Sequence, residues 1–435
     1  MTRRLTALLL AVALVALALI PAAATPIAHR EVLPNGIVLL VAERPAVPIV
    51  AVRAFMRAGA VLDPPGRAGL ANLTGALLTR GTARHSGPQI DAAIEFVGGA
   101  LEAGAGRDGL TASLSVLKKD LALGLDLLGD VVLSPAFPEA ELKRKAAQIQ
   151  AAIRRSEEDP TTVAARALAR LVHPNHPYGR PVEGTIDSVG MLTRDDVVGF
   201  YRQHVRPDTA IVAVVGDVTV DEARRHVLAR FGGWPRPPAP PPAVPPATLS
   251  APPATETIAK PLTQATIMLG RQAVRQVDPD YFPLAVASYV LGGGSASRLY
   301  NRVRNEDGLA YAVYSYVAPG RSGASFVVSA QTRAGEVPKV ADILRDELAR
   351  MRDPVSDDEL RLARDYLVGS FPLRLDTSAK VADFIVAIEE QGLGLDYAER
   401  YKAGIARVTA ADVQRVAAKF FGPDTFSRVV VGAPK

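Results

Sequence analysis

The chain has 435 residues, room for two or more domains with their own cores, and is 48% hydrophobic and 22% charged, as soluble globular proteins are. Its formal charge of +5 is mild for that length, and no Lys/Arg block marks a nucleic-acid footprint; Lys143-Arg144-Lys145 reads as a solvated helix face. There is no cysteine, which excludes disulfides, thiolate chemistry and Cys-ligated metals.

At the start of the chain, Arg3 and Arg4 precede an apolar run from Leu8 to Ile20, and Ala22-Ala23-Ala24 follows. A basic start, a short apolar stretch and a small-residue site together read as a secretory signal peptide, residues 1–24. The run is 13 residues long, short for a bilayer crossing. Cleavage after Ala24 leaves 411 residues with a formal charge of +3. The expectation is an exported, periplasmic protein with no stable membrane span after cleavage; an uncleaved anchor is the competing reading.

The first expected domain covers residues 27–234. Val32–Val41 is split by Asn35-Gly36, a hairpin signal, and Ile49–Arg57 follows as a strand. Ala68–Leu78 reads as a helix and Gly109–Leu117 alternates as a strand; Glu139–Glu158 and Thr161–Val172 read as helices. Ten of the nineteen residues from Pro235 to Pro253 are proline. Such a segment forms neither a helix nor an inner strand, so residues 235–254 are expected to be a semi-rigid linker.

The second expected domain covers residues 255–435. Ala265–Arg271 reads as a strand, Tyr281–Leu291 as a helix, and Tyr311–Val317 and Ala324–Thr332 as strands. Pro338–Met351, Asp357–Ser370 and Thr377–Glu390 read as helices. The two halves are also alike in sequence. Thr193–Gly216 and Thr409–Gly432, 216 apart, share nine of 24 positions without a gap, among them Thr193/Thr409, Asp196/Asp412, Asp208/Asp424 and Gly216/Gly432. Each copy reads as an N-cap threonine, a helix, a Pro-Asp turn and a buried strand, an internal duplication. The fold class is α+β: two homologous helix-covered antiparallel-sheet domains joined by a Pro-rich linker.

The segment Leu33–Thr82, LPNGIVLLVAERP…GRAGLANLTGALLTRGT, resembles the opening of the pitrilysin/insulinase-type zinc peptidases, above all their processing-peptidase-like branch, and the resemblance runs from Ile27 to Pro434. In active members of that family the helix after Gly-Leu-Ala carries H-x-x-E-H. Two histidines four apart bind zinc and the glutamate activates water, while a further glutamate comes from a later helix. Aligned on Gly69-Leu70-Ala71 and Arg80-Gly81-Thr82, the histidine positions fall on Asn72 and Ala76, and the glutamate position on Gly75. The later ligand position falls on Ala151 or Ala152. None of these side chains is a zinc ligand of any strength, so no metal is expected in this chain. Of the six histidines only His173 and His176 lie close, in HPNHPYG, where Pro174 and Pro177 preclude a shared helical face; a structural loop is the reading there.

The resemblance also implies a substrate-contacting arginine and tyrosine seven residues apart in the second half. LYNRVRNEDGLAY supplies Arg304 and Tyr311 at that spacing. Both can donate to a peptide carbonyl or to the oxyanion formed when water adds to it. The bland reading is a surface charge and a rim tyrosine. Gly292-Gly293-Gly294 is either a second substrate contact or a plain helix-ending turn. In two-subunit members of the family, one chain carries zinc and the other carries the Arg/Tyr pair. The expectation is therefore a complementing subunit that positions unfolded peptides for an H-x-x-E-H-bearing homologous partner, with zinc only in that partner and the polyproline joint as hinge. A non-enzymatic scaffold or peptide-binding protein of the same fold is the alternative, and an autonomous zinc peptidase is rejected for want of ligands.

Overall fold

The computed structural model describes residues 26–244, 246–247 and 252–432. The expected signal segment, 1–24, lies outside the described residues. In the first half, β1 (His29–Val32), β2 (Val38–Glu43) and β3 (Ile49–Met56) are followed by α1 (Leu70–Leu77), α2 (Gly87–Phe96), β4 (Ala100–Ala105) and β5 (Leu110–Leu117). Then come α3 (Leu121–Leu133), α4 (Glu139–Ser156), α5 (Pro160–Val172), α6 (Ile186–Gly190), α7 (Arg194–His204), β6 (Ala210–Gly216) and α8 (Val220–Phe231). The second half holds β7 (Thr255–Ile258), β8 (Gln264–Ala273), α9 (Tyr281–Gly292), a π-helical turn at Tyr300–Glu306, β9 (Ala310–Ala318) and β10 (Ala324–Arg333). It closes with α10 (Val337–Arg350), α11 (Asp357–Gly369), α12 (Ser378–Glu390), α13 (Tyr397–Arg407), α14 (Ala410–Phe420) and β11 (Ser427–Val431). Among the described residues no helix is long and apolar enough to cross a membrane.

The strand orders are β1-β2-β6-β3-β5-β4 and β7-β11-β8-β10-β9. Without β1 they superimpose as one pattern, strand for strand. Each sheet has one parallel pair, β2 with β6 and β7 with β11, and is otherwise antiparallel. The duplication read from Thr193 and Thr409 is thus a duplication of architecture. Both threonines form capping boxes, Thr193 Oγ1 accepting from the Asp196 N–H at 3.2 Å and Thr409 Oγ1 from that of Asp412 at 3.1 Å. The paired glycines also have a shared cause. Gly216 (φ 144°) ends β6 and Gly432 (φ 95°) directly follows β11, and a Cβ there would meet the carbonyl oxygens of Ile49 and Gln264 at 2.0 and 2.5 Å. Only glycine lets each strand end pass that close to its neighbour.

The halves are interlocked by an exchange of helices. α5 belongs to the first half in sequence, yet Ala164, Ala167, Leu168 and Val172 pack on Met268, Val327, Val429 and Val431 of the second sheet. In return, α12 lays Val381, Ala382, Ile385 and Val386 on Leu40, Ala51, Phe55, Ile211 and Val215 of the first. Strands β3 and β6 therefore have both faces buried, which is why β6 is apolar throughout instead of alternating. Ion pairs follow the same crossing, with Arg53–Asp383 at 2.6 Å, Arg30–Glu389 at 2.9 Å and Arg170–Glu256 at 2.7 Å. The spacer is consequently no hinge: a motion about it would have to peel both helices off their sheets. Ile385→Ala, at a fully buried position, is expected to cost about 2–5 kcal/mol in urea denaturation and to lower the midpoint of a single shared transition. A separate early transition for one half would contradict the interlock.

Candidate functional site

Helix α1 carries the degenerate motif and lies against the edge strand β4. Its N-terminus is held by a residue the sequence reading passed over. The buried Asp63 carboxylate accepts the Gly69 and Ala71 N–H groups, each at 2.8 Å. Burial pushes that carboxyl up to about 6, against the pull of those same N–H groups. Asn72 and Ala76 are half-buried and Gly75 is buried. A Cβ at Gly75 would sit 2.7 Å from both the Ala105 nitrogen and the Gly104 carbonyl carbon. The glutamate position is therefore filled by the backbone of β4 as well as lacking its side chain. On α4, Ala151 is half-buried and Ala152 exposed. These residues do not fit a zinc ion, which needs imidazole, carboxylate or thiolate ligands in tetrahedral array.

Among the described residues no group of three or more His, Asp or Glu side chains converges as a metal site. His173 and His176 lie with ring centroids 6.3 Å apart at the end of α5. His173 Nε2 is 2.9 Å from Ser325 Oγ and its pKa is lowered to about 4, by burial first and then by His176 and Arg107. It pins the exchanged helix to the second sheet as a neutral ring. His176 Nδ1 accepts from the Tyr178 N–H at 3.2 Å, closing the loop.

At the corresponding edge of the second sheet, β9, the structure brings Arg304 and Tyr311 together. The Arg304 guanidinium lies 4.8 Å from the Tyr311 ring centroid and 4.9 Å from that of Tyr300, gripped between two aromatic rings. Its Nη1 donates to the Tyr311 carbonyl at 3.0 Å. The π-helical turn that carries Tyr300 and Arg304 packs on β9; such turns recur at functional sites. Tyr311 is 78% exposed, and Tyr314 and Tyr316 share its exposed edge with rings stacked at 6.0 Å. The result is a fixed cation beside an aromatic, unpaired strand edge, with guanidinium N–H groups and a phenol hydroxyl available to carbonyl oxygens. Tyr300 was missed at sequence level, although its place four residues before Arg304 was visible.

The three glycines pack closely. A Cβ at Gly292 would meet the Ser315 nitrogen at 2.6 Å, and one at Gly293 would meet the Tyr289 Cα at the same distance. Gly292 does for α9 on β9 what Gly75 does for α1 on β4, letting helix backbone rest on edge-strand backbone. Gly293 is exposed and Gly294, whose Cβ would lie 2.9 Å from the Tyr289 hydroxyl, is half-buried.

Comparisons with known proteins bear on the family and the fold. The family profile described as insulinase (peptidase family M16) matches residues 38–186, and that described as the peptidase M16 inactive domain matches residues 191–367. An uncharacterized zinc protease of Streptomyces coelicolor is 31% identical over 405 residues, covering 91% of this chain and 87% of that protein. One from Mycobacterium leprae is 30% identical, covering 80% and 79%. Among solved structures, a peptidase M16 inactive domain from Pseudomonas fluorescens has a TM-score of 0.88 at 26% identity, covering 94% of this chain and 99% of that one. A protease from Helicobacter pylori has a TM-score of 0.87 at 19% identity, covering 93% and 99%, a likeness of fold.

Proposed function

The chain belongs to the insulinase (M16) peptidase family, and from that footing we propose that it is the zinc-less, complementing subunit of a two-chain metallopeptidase, holding peptide for a zinc-carrying partner. The observation that carries the reading is the pairing of a lost site with a kept one. Asn72, Gly75 and Ala76 stand where ligands and base would be, while Arg304 is held between Tyr300 and Tyr311 at the edge of the other sheet. The words "zinc protease" attached to the relatives are not carried over, because a fold without its ligands does not confer the chemistry.

In this reading an extended, unfolded peptide adds to a strand edge, and main-chain hydrogen bonds supply affinity with little side-chain preference. Arg304 and Tyr311 donate to a carbonyl of that peptide, and the gain is largest where negative charge develops on it. Zinc held by the partner would supply the Lewis acid for the carbonyl and for the attacking water, and this chain positions the peptide. Export to the periplasm through the Arg3–Ala24 segment completes the proposal. The test is reconstitution. The purified chain alone is expected to cleave no peptide reporter, and the chain mixed with an H-x-x-E-H-bearing homologue is expected to cleave it faster than either alone. Equal turnover by the partner without this chain would overturn the reading. One observation favours a peptide-binding scaffold instead: Arg304 already spends an N–H on the Tyr311 carbonyl. That alternative predicts peptide binding with no gain in turnover.

A further inference from the structure

Between the halves lies a cavity of about 490 Å³ that the peptide-handling reading leaves unused. Its roof is the proline-rich linker, through Pro241, Pro242 and Val244. The linker is fastened on both sides: Arg206 donates to the Ala239 carbonyl, and the Ala247 N–H donates to the Ser322 carbonyl at 2.7 Å. Walls come from both halves. Arg57 and His204 belong to the first and Arg275 and Arg321 to the second, and a smaller adjoining pocket again uses Arg57, Arg275 and Arg321.

Charge in this space is unbalanced. Arg206 is matched by Asp208 through two hydrogen bonds of 2.7 Å. Among the described residues Arg57 and Arg275 have no paired carboxylate, and Arg321 has one, Glu390. Arg57 Nε is buried with no hydrogen-bond partner, and the group is held below its ordinary pKa, first by burial and then by Arg321, against the pull of Glu390 and Glu389. Arg275 reaches only the Arg321 carbonyl, at 3.5 Å. Arg321 pairs with Glu390 at 3.6 Å, a carboxyl that burial, and then the charge of Asp108, raises to about 7 against the pull of Arg321 and Arg57. Asp108 accepts the Tyr178 hydroxyl at 2.5 Å. His204, 6% exposed, closes the wall beside Arg206.

We propose that this cavity is a binding site for a small organic anion, a carboxylate or phosphate head on an apolar body. The head sits among Arg57, Arg275 and Arg321, where bidentate guanidinium contacts suit both oxyanions. The body lies under Pro241, Pro242 and Val244, and the volume is that of a small-molecule site, well beyond a bare inorganic ion. The proposal is independent of peptide handling at Arg304.

The test is isothermal titration calorimetry on the full chain with phenyl phosphate, benzoate and neutral benzyl alcohol at low salt. Saturable one-to-one binding is expected for at least one of the two anions, at least tenfold tighter than for benzyl alcohol, and the tighter anion identifies the head. Arg57→Met and Arg321→Ala are each expected to weaken it at least tenfold. Arg275→Ala changes an exposed side chain and serves as the variant whose folding is not at risk; a loss of about threefold or more is expected there. Binding of neither anion, equal binding of the alcohol, or anion binding unmoved in the folded Arg275→Ala and Arg321→Ala variants would overturn the proposal.

Discussion

Gly75→Glu, alone or with Asn72→His and Ala76→His, is expected to cost about 3 kcal/mol or more of stability and to yield no zinc-dependent peptidase. In the triple variant the written motif would be whole, but the helix could not stay where it is. The first side-chain atom at position 75 already falls 2.7 Å from the backbone of Gly104 and Ala105, and backbone in a paired strand cannot swing aside as a long side chain can. Overpacking by one carbon costs typically 1–3 kcal/mol, and the buried carboxylate adds desolvation. Gly75→Ala separates the two terms. Helix propensity alone favours alanine by about 1 kcal/mol, so a net loss for Gly75→Ala in urea denaturation isolates the contact with β4. A triple variant as stable as its parent would contradict this account.

The second large effect concerns Arg304. Arg304→Ala is expected to lower kcat/KM of the reconstituted two-chain peptidase about 100-fold, the usual loss when one donor to a developing oxyanion is removed. The side chain touches two aromatic rings and one carbonyl at the surface of an edge strand, so its removal is expected to leave the melting temperature nearly unchanged. Arg304→Lys is expected to recover only part of the rate, because a point charge on a flexible stem neither stacks flat between Tyr300 and Tyr311 nor forks. Tyr311→Phe isolates the hydroxyl, with the ring contact kept. A rate loss matched by an equal loss of stability would reduce Arg304 to a structural role.

Much of the fold was legible because long periodic segments such as Tyr281–Leu291 and Asp357–Ser370 state both their type and their extent. The repeat at offset 216 was legible because capping boxes and closing glycines demand particular residues at particular places. The helix exchange was not. The apolar face of α12 says that it will be buried, and nothing in it says that Ile211 and Val215 lie across from it while its own sheet lies elsewhere. Strand β4, in a run of Gly and Ala, gave too little alternation to be read, so the closeness of Gly75 to it was hidden as well. At the candidate site the missing ligands could be read directly, and so could the Arg304–Tyr311 spacing. Tyr300 required the π-helical turn, and the arginines under the linker required the meeting of four distant segments.

Asn72, Gly75 and Ala76 offer no side chain that can hold a divalent cation. Elemental analysis of the tag-free, isolated chain after brief dialysis tests that most directly. Zinc well below one tenth of an equivalent per chain is the predicted result. One equivalent, removed by a chelator together with peptide cleavage by the chain alone, would contradict it.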